Sequence, residues 1–187
     1  VSGSNPYAPP SARVEDVRLN TGSEDAPFFA VSTRKLVLMS ICTLGFYQIY
    51  WFYKQWRCVQ ERNEPNIMPA MRAIFAVFFG YALFKRVRDF AHPGLKPESL
   101  AAGMLALVWL VLQLTPSLPN VPQPVNLLTF ISVAGLVPVQ SRINRINDQL
   151  APDHDRNDRF SSANWVGLVL GGILFVLAVL GSMMPNE

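Results

Sequence analysis

Charge is missing from the middle of this 187-residue chain. Between Glu98 and Arg142 there is no Lys, Arg, Asp, Glu or His. That uncharged run (99–141) holds about 43 residues, twice what a helix needs to cross a hydrocarbon core. Its middle, TPSLPNVPQP (115–124), excludes one continuous helix, because proline removes a backbone donor and clashes with the preceding turn. A transmembrane hairpin is expected, with spans over about 100–115 and 125–141.

Other absences exclude chemistry. No Asp or Glu falls within any apolar block, which argues against a carboxylate proton relay or a carboxylate-coupled ion site at mid-membrane. The two cysteines, Cys42 and Cys58, have neither CxxC spacing nor a His partner, so reduced thiols are expected. HExxH, GxSxG and a phosphate-cradling glycine loop are all missing. Asp153, Asp155 and Asp158 lack the regular spacing and closing Glu of a calcium loop, so no metal and no cofactor is expected. The net charge is +3, but the basic residues flank apolar blocks. Anionic headgroups explain them more simply than nucleic acid does.

What is present comes in blocks. Residues 1–33 form an expected extended, Pro-rich cytoplasmic tail without signal-peptide features, in which Tyr7, Pro9 and Pro10 offer a docking arm for a partner. Leu36 to Tyr53 is uncharged, and Thr43 and Gly45 make a kink or tight packing possible there. Its second half is aromatic, so Tyr50, Trp51, Tyr53 and Trp56 are expected as an interfacial belt. The apolar block 73–84 is too short to cross by itself. It is preceded by Arg72 and followed by Lys85, Arg86 and Arg88, four residues expected to contact lipid headgroups. Ala76 and Gly80, and Gly167, Gly171, Gly172 and Ala178 in the last span, give small-residue faces for helix packing.

These blocks predict an all-α, multi-pass transmembrane bundle with helices over about 35–63, 67–89, 99–115, 124–150 and 163–184. The charge-free hairpin turn lies outside and its basic flanks inside, with the N-terminus cytoplasmic and the C-terminus periplasmic. Five spans is the preferred arrangement. In the other, 36–53 and 73–84 are re-entrant or interfacial and three spans remain.

The stretch Thr43-Leu44-Gly45-Phe46-Tyr47, then Tyr50-Trp51-Phe52-Tyr53-Lys54-Gln55-Trp56, then Pro69 and Arg72-Ala73-Ile74-Phe75, resembles a family of uncharacterised bacterial inner-membrane domains. The opening Asn5-Pro6-Tyr7-Ala8-Pro9-Pro10 is similar to a tag on small bacterial multi-pass proteins. The resemblance covers about residues 36–90 and implies a bacterial inner membrane and no assigned activity. The expected role is a non-catalytic accessory, assembly or scaffold subunit, touching phospholipids and a protein partner or a second copy. The alternatives are a transporter or channel component, and an enzyme acting on phospholipid headgroups. A cytoplasmic pocket joining Arg72, Arg86 and the acids of 153–158 would favour the enzyme.

Overall fold

The structure is a computed structural model that describes residues 26–93, 95, 99–120 and 122–182. The expected docking arm at Tyr7, Pro9 and Pro10 lies outside the described residues. All the regular structure of the described residues is helical, with no strand among them. In chain order they form α1 (Thr33–Cys42), α2 (Phe46–Asn63), α3 (Pro69–Ile74), α4 (Ala76–Asp89) and α5 (Ala102–Leu114). After a 3₁₀ turn at Thr115–Ser117 come α6 (Gln123–Asn126), a 3₁₀ stretch (Leu127–Gly135), α7 (Val137–Leu150) and α8 (Ser162–Ser182).

The helix expected over 35–63 is interrupted at Thr43–Gly45. Leu44 and Gly45 both take positive φ (52° and 88°), a conformation that ends a right-handed helix. The Gly45 N–H reaches back to the Ser40 carbonyl at 2.8 Å, closing the C-terminus of α1. The Thr43 hydroxyl donates to the Met39 carbonyl at 2.6 Å and accepts the Tyr47 N–H at 3.0 Å, joining the end of one helix to the start of the next. Phe29, just before α1, touches Tyr50 and Gln55, so α2 runs back past the start of α1. The block 36–53 therefore corrects to two helices. At 10 residues, α1 is about 15 Å long, half a hydrocarbon core.

The second expected helix is also divided, at Phe75, into α3 and α4. The fourth contains a 3₁₀ stretch before α7, whose second residue is Pro138. Among the described residues two helices are long and apolar enough to cross a membrane: 127–150, counted through its 3₁₀ part, and 162–181. Residues 102–117 are a shorter apolar helix.

The core gathers on one face of α2. Trp51, Phe52 and Trp56 are fully buried, together with Leu36, Leu83, Phe84, Leu136 and Ile143. Large apolar side chains also cover much of the outside, among them Phe46, Ile74, Phe78, Met104 and Leu107. The extreme case is α8, where only 6% of the apolar window is buried. It starts with a reciprocal cap: Ser161 Oγ accepts the Asn164 N–H, and Asn164 Oδ1 accepts the Ser161 N–H.

The contact α8 makes is with α1, through small residues. Gly167 lies against Met39 and Thr43, and a methyl built on Gly171 would overlap the Cys42 carbonyl. Nothing lies within 4 Å of where a methyl would stand on Gly172. Gly171→Ala should therefore lower Tm in mild detergent by about 3–10 °C, the cost of overpacking. Gly172→Ala should leave it within about 2 °C. Equal effects in thermal unfolding would mean that α8 does not seat on α1 through Gly171.

Candidate functional site

Two features build from the core outward: a lattice of buried amides, and above it a layer of cations set on aromatic rings.

The lattice begins with sequence spacing. Gln48 and Gln55 are seven apart on α2, and Gln140, Asn144 and Asn147 recur at four and three on α7, so each set lines one helix face. Gln55 and Gln140 are fully buried. Between these faces runs the extended segment Phe28–Val31, whose backbone has no strand or helix to pair with. The amides pair with it instead. Gln55 Nε2 donates to the Phe29 carbonyl (3.0 Å) and its Oε1 accepts the Phe29 N–H (3.2 Å). Asn147 does the same for Phe28 at 2.8 and 3.2 Å, and Asn144 donates to the Val31 carbonyl. The Trp51 indole N–H donates to Gln140 Oε1 at 2.5 Å. A second group joins Gln48, Trp109, Ser132 and Gln113.

This changes the expected aromatic belt. Trp51 and Trp56 are 0% exposed and belong to the core, while Tyr50 is exposed and Tyr53 half-buried. The reason is helical phase: Trp51 and Gln55 lie on the face of α2 that meets Gln140 of α7, Trp56 is turned toward Arg72 of α3 and Arg86 of α4, and Tyr50 projects to the outside.

The cationic layer contains the residues expected to meet headgroups. Arg72 stands 4.5 Å from the centroid of Trp56 and 5.3 Å from Phe79, and Arg86 stands 5.3 Å from Trp56 while pairing with Glu64. Arg88 instead pairs with its neighbour Asp89, and Lys85 is exposed. The four are thus not one cluster. Arg72 and Arg86 share a ring, and Arg88 and Lys85 lie apart from it. Sequence reasoning missed two further members: Arg62 over Phe28 and Phe90, and Lys54 over Phe29. Arg142, nearly buried, donates to the carbonyls of Val87 and Arg88 and so satisfies the C-terminal end of α4. Among the small residues, Gly80 packs near Trp109 and Ala76 is buried, while Ala178 is exposed.

Beside this layer opens a cleft of about 920 Å³ between α1, α2 and the 154–164 segment. Lys35 lies on its wall, 3% exposed, donating to Asn157 Oδ1 (2.8 Å) and the Arg159 carbonyl (2.7 Å). Burial pushes the Lys35 ammonium below the usual lysine range, against the opposing pull of Asp155 and Asp158. Of the acids of 153–158, Asp155 and Asp158 line the cleft with Lys35, while Asp153, Arg72 and Arg86 do not. Cys42 and Cys58 are both free. Burial, aided by Glu61, pushes the Cys58 thiol up, which keeps it protonated and a poor nucleophile.

Against known proteins, a domain of unknown function, DUF4234, is found at residues 31–114. It takes in α1 to α5 and so includes Gln48, Gln55, Trp51 and Trp56, while the α7 amides that meet them lie beyond it. No curated protein and no solved structure is significantly similar to the chain.

Gln140→Leu keeps the volume and removes the partner of the Trp51 indole, of Gln55 and of Asn144. It should destabilise the protein by about 2–4 kcal/mol, because buried donors are left unpaired. Trp fluorescence followed through denaturant unfolding checks this, and a loss below about 0.5 kcal/mol would mean that the lattice does not hold α2 to α7.

Proposed function

We propose that the chain is a small, multi-pass protein of the bacterial inner membrane that acts by contact, as an accessory, assembly or scaffold subunit of a membrane complex. The observation that carries this reading is α8. It spans about 30 Å at helical rise, is apolar on all sides, and meets the rest of the protein mainly along its Gly167–Gly171 line against α1. In water such a helix would be unstable as an exposed surface. In a bilayer its free sides face lipid or a partner helix.

Charge gives the arrangement. Glu64–Arg86 links the end of α2 to α4, and Arg142 of α7 reaches the end of α4; with Arg57–Glu61 and Arg156–Asp148 nearby in sequence, these contacts support reading the basic residues as one layer. The charge-free turn 115–124 ends the other side of the 102–117 helix. By the positive-inside bias the charged layer is cytoplasmic and the turn external. Because α1 is only half a membrane long and α2 returns from it, Arg34, Lys35, Lys54, Arg57 and Arg62 all stay inside. Three crossings follow, by 102–117, 127–150 and α8, with α1–α2 and α3–α4 entered from the cytoplasmic side. The C-terminus is then periplasmic.

Single cysteines in a cysteine-free background test the arrangement. An impermeant maleimide applied to intact cells should label Asn120→Cys and spare Glu61→Cys and Asp153→Cys. Labelling of Glu61→Cys from outside would restore two early crossings. Native mass sizing in mild detergent tests the role. A stoichiometric protein partner is expected, and a chain that runs alone with lipid only would refute the subunit reading.

A further inference from the structure

The cleft beside Lys35 has the features of a built site. The first is a charge out of place. The Lys35 ammonium is buried, and the two atoms it donates to are both neutral oxygens, Asn157 Oδ1 and the Arg159 carbonyl. Among the described residues no carboxylate closes to an ion pair with it. Asp155 and Asp158 act on it from farther away. A buried cation held only by neutral acceptors leaves one donor and most of its charge for an anion.

The second feature is Tyr47. It is 6% exposed and lines the cleft, yet among the described residues its hydroxyl makes no hydrogen bond. The ring is buried but the hydroxyl is not sealed from solvent, so it opens on the cleft and can donate to a ligand there. A third contribution comes from α8, whose first turn borders the cleft at Ala163 and Asn164 and brings the positive end of a 21-residue helix. Arg159 lies on the same wall.

These three face an anion, whereas Asp155 and Asp158 on the wall face a cation. A bare phosphate would satisfy the first group and be repelled by the second. A zwitterion satisfies both. The cleft also adjoins the exposed apolar surface of α8, which continues from Trp165 and Val166. We propose that this cleft binds one aminophospholipid. The lipid phosphate meets Lys35, the Tyr47 hydroxyl and the start of α8, its ammonium meets Asp155 and Asp158, and its chains lie along α8. The inference rests on the membrane placement argued above.

The test uses the full chain, stripped of lipid in mild detergent, in native mass spectrometry. Dioleoyl phosphatidylethanolamine, dioleoyl phosphatidylglycerol and inorganic phosphate are added separately. One phosphatidylethanolamine should be retained per chain. Lys35→Gln should weaken retention by about tenfold and Tyr47→Phe by about threefold. Glu61→Gln, outside the cleft, should leave it unchanged. Tyr47→Phe removes one oxygen and carries the test if Lys35→Gln does not fold. Equal retention of both lipids by all forms would overturn the site, as would inorganic phosphate displacing the lipid at equal concentration. Liposome flotation separates the two readings. Wild type that does not float refutes the membrane placement, and wild type that floats but retains no phosphatidylethanolamine refutes the cleft alone.

Discussion

The fold depends on satisfying the backbone of Phe28–Val31. An extended segment sunk among helices carries N–H and C=O groups that neither water nor a neighbouring strand can reach, and each would cost several kcal/mol if left bare. Here side-chain amides take the place of a strand: Gln55 and Asn147 each bond both the N–H and the C=O of one residue, and Asn144 takes the Val31 carbonyl. Because these amides come from α2 and α7, satisfying the segment also fixes the register of the two helices. Apolar contact alone would let α2 slide or rotate against α7. A bidentate amide does not.

Everything in the charged layer follows from that registration. With α2 held against α7, Trp56 sits under Arg72 and Arg86, and Arg62 stands over Phe28 and Phe90. The cations thus rest on rings whose edges belong to the core, so their positions are set by packing. Exposed ion pairs such as Arg57–Glu61 and Arg156–Asp148 add little stability. Stacking on an aromatic ring also leaves a guanidinium N–H fork available for oxygen ligands, which suits residues at the proposed headgroup level.

The sequence made some of this legible. Uncharged runs and prolines locate the helical regions, and Pro65 and the 115–124 turn stop helices where they should, because both signals are local. Gly45 pointed to an irregularity. That it reverses the chain depends on Leu44 also entering the left-handed region, which a leucine does not advertise. The aromatic run misled at Trp51 and Trp56, since an interfacial belt and a core face look alike until the helical phase is fixed by a partner. The Gln48/Gln55 and Gln140/Asn144/Asn147 spacings were present to be read, but uncharged amides lower hydropathy without announcing burial. Only the facing helix shows that they are the interior.

The same contrast explains why α8 and the core use different chemistry. Where two helices enclose a backbone segment, polar side chains are the adhesive, because each amide meets a definite partner and a wrong partner leaves a buried donor bare. Between α8 and α1 no such segment intervenes, and contact is made by absence of side chain, with Gly171 laid against the Cys42 carbonyl. Glycine contacts of this kind hold two helices close while asking nothing of the remaining faces. The amide-locked core therefore fixes one structure, and α8 remains the element whose surroundings are free to vary. In the proposed membrane setting, a lipid or a partner helix would be read along α8, and the cleft at its first turn is where that contact would be felt by Lys35 and the core behind it.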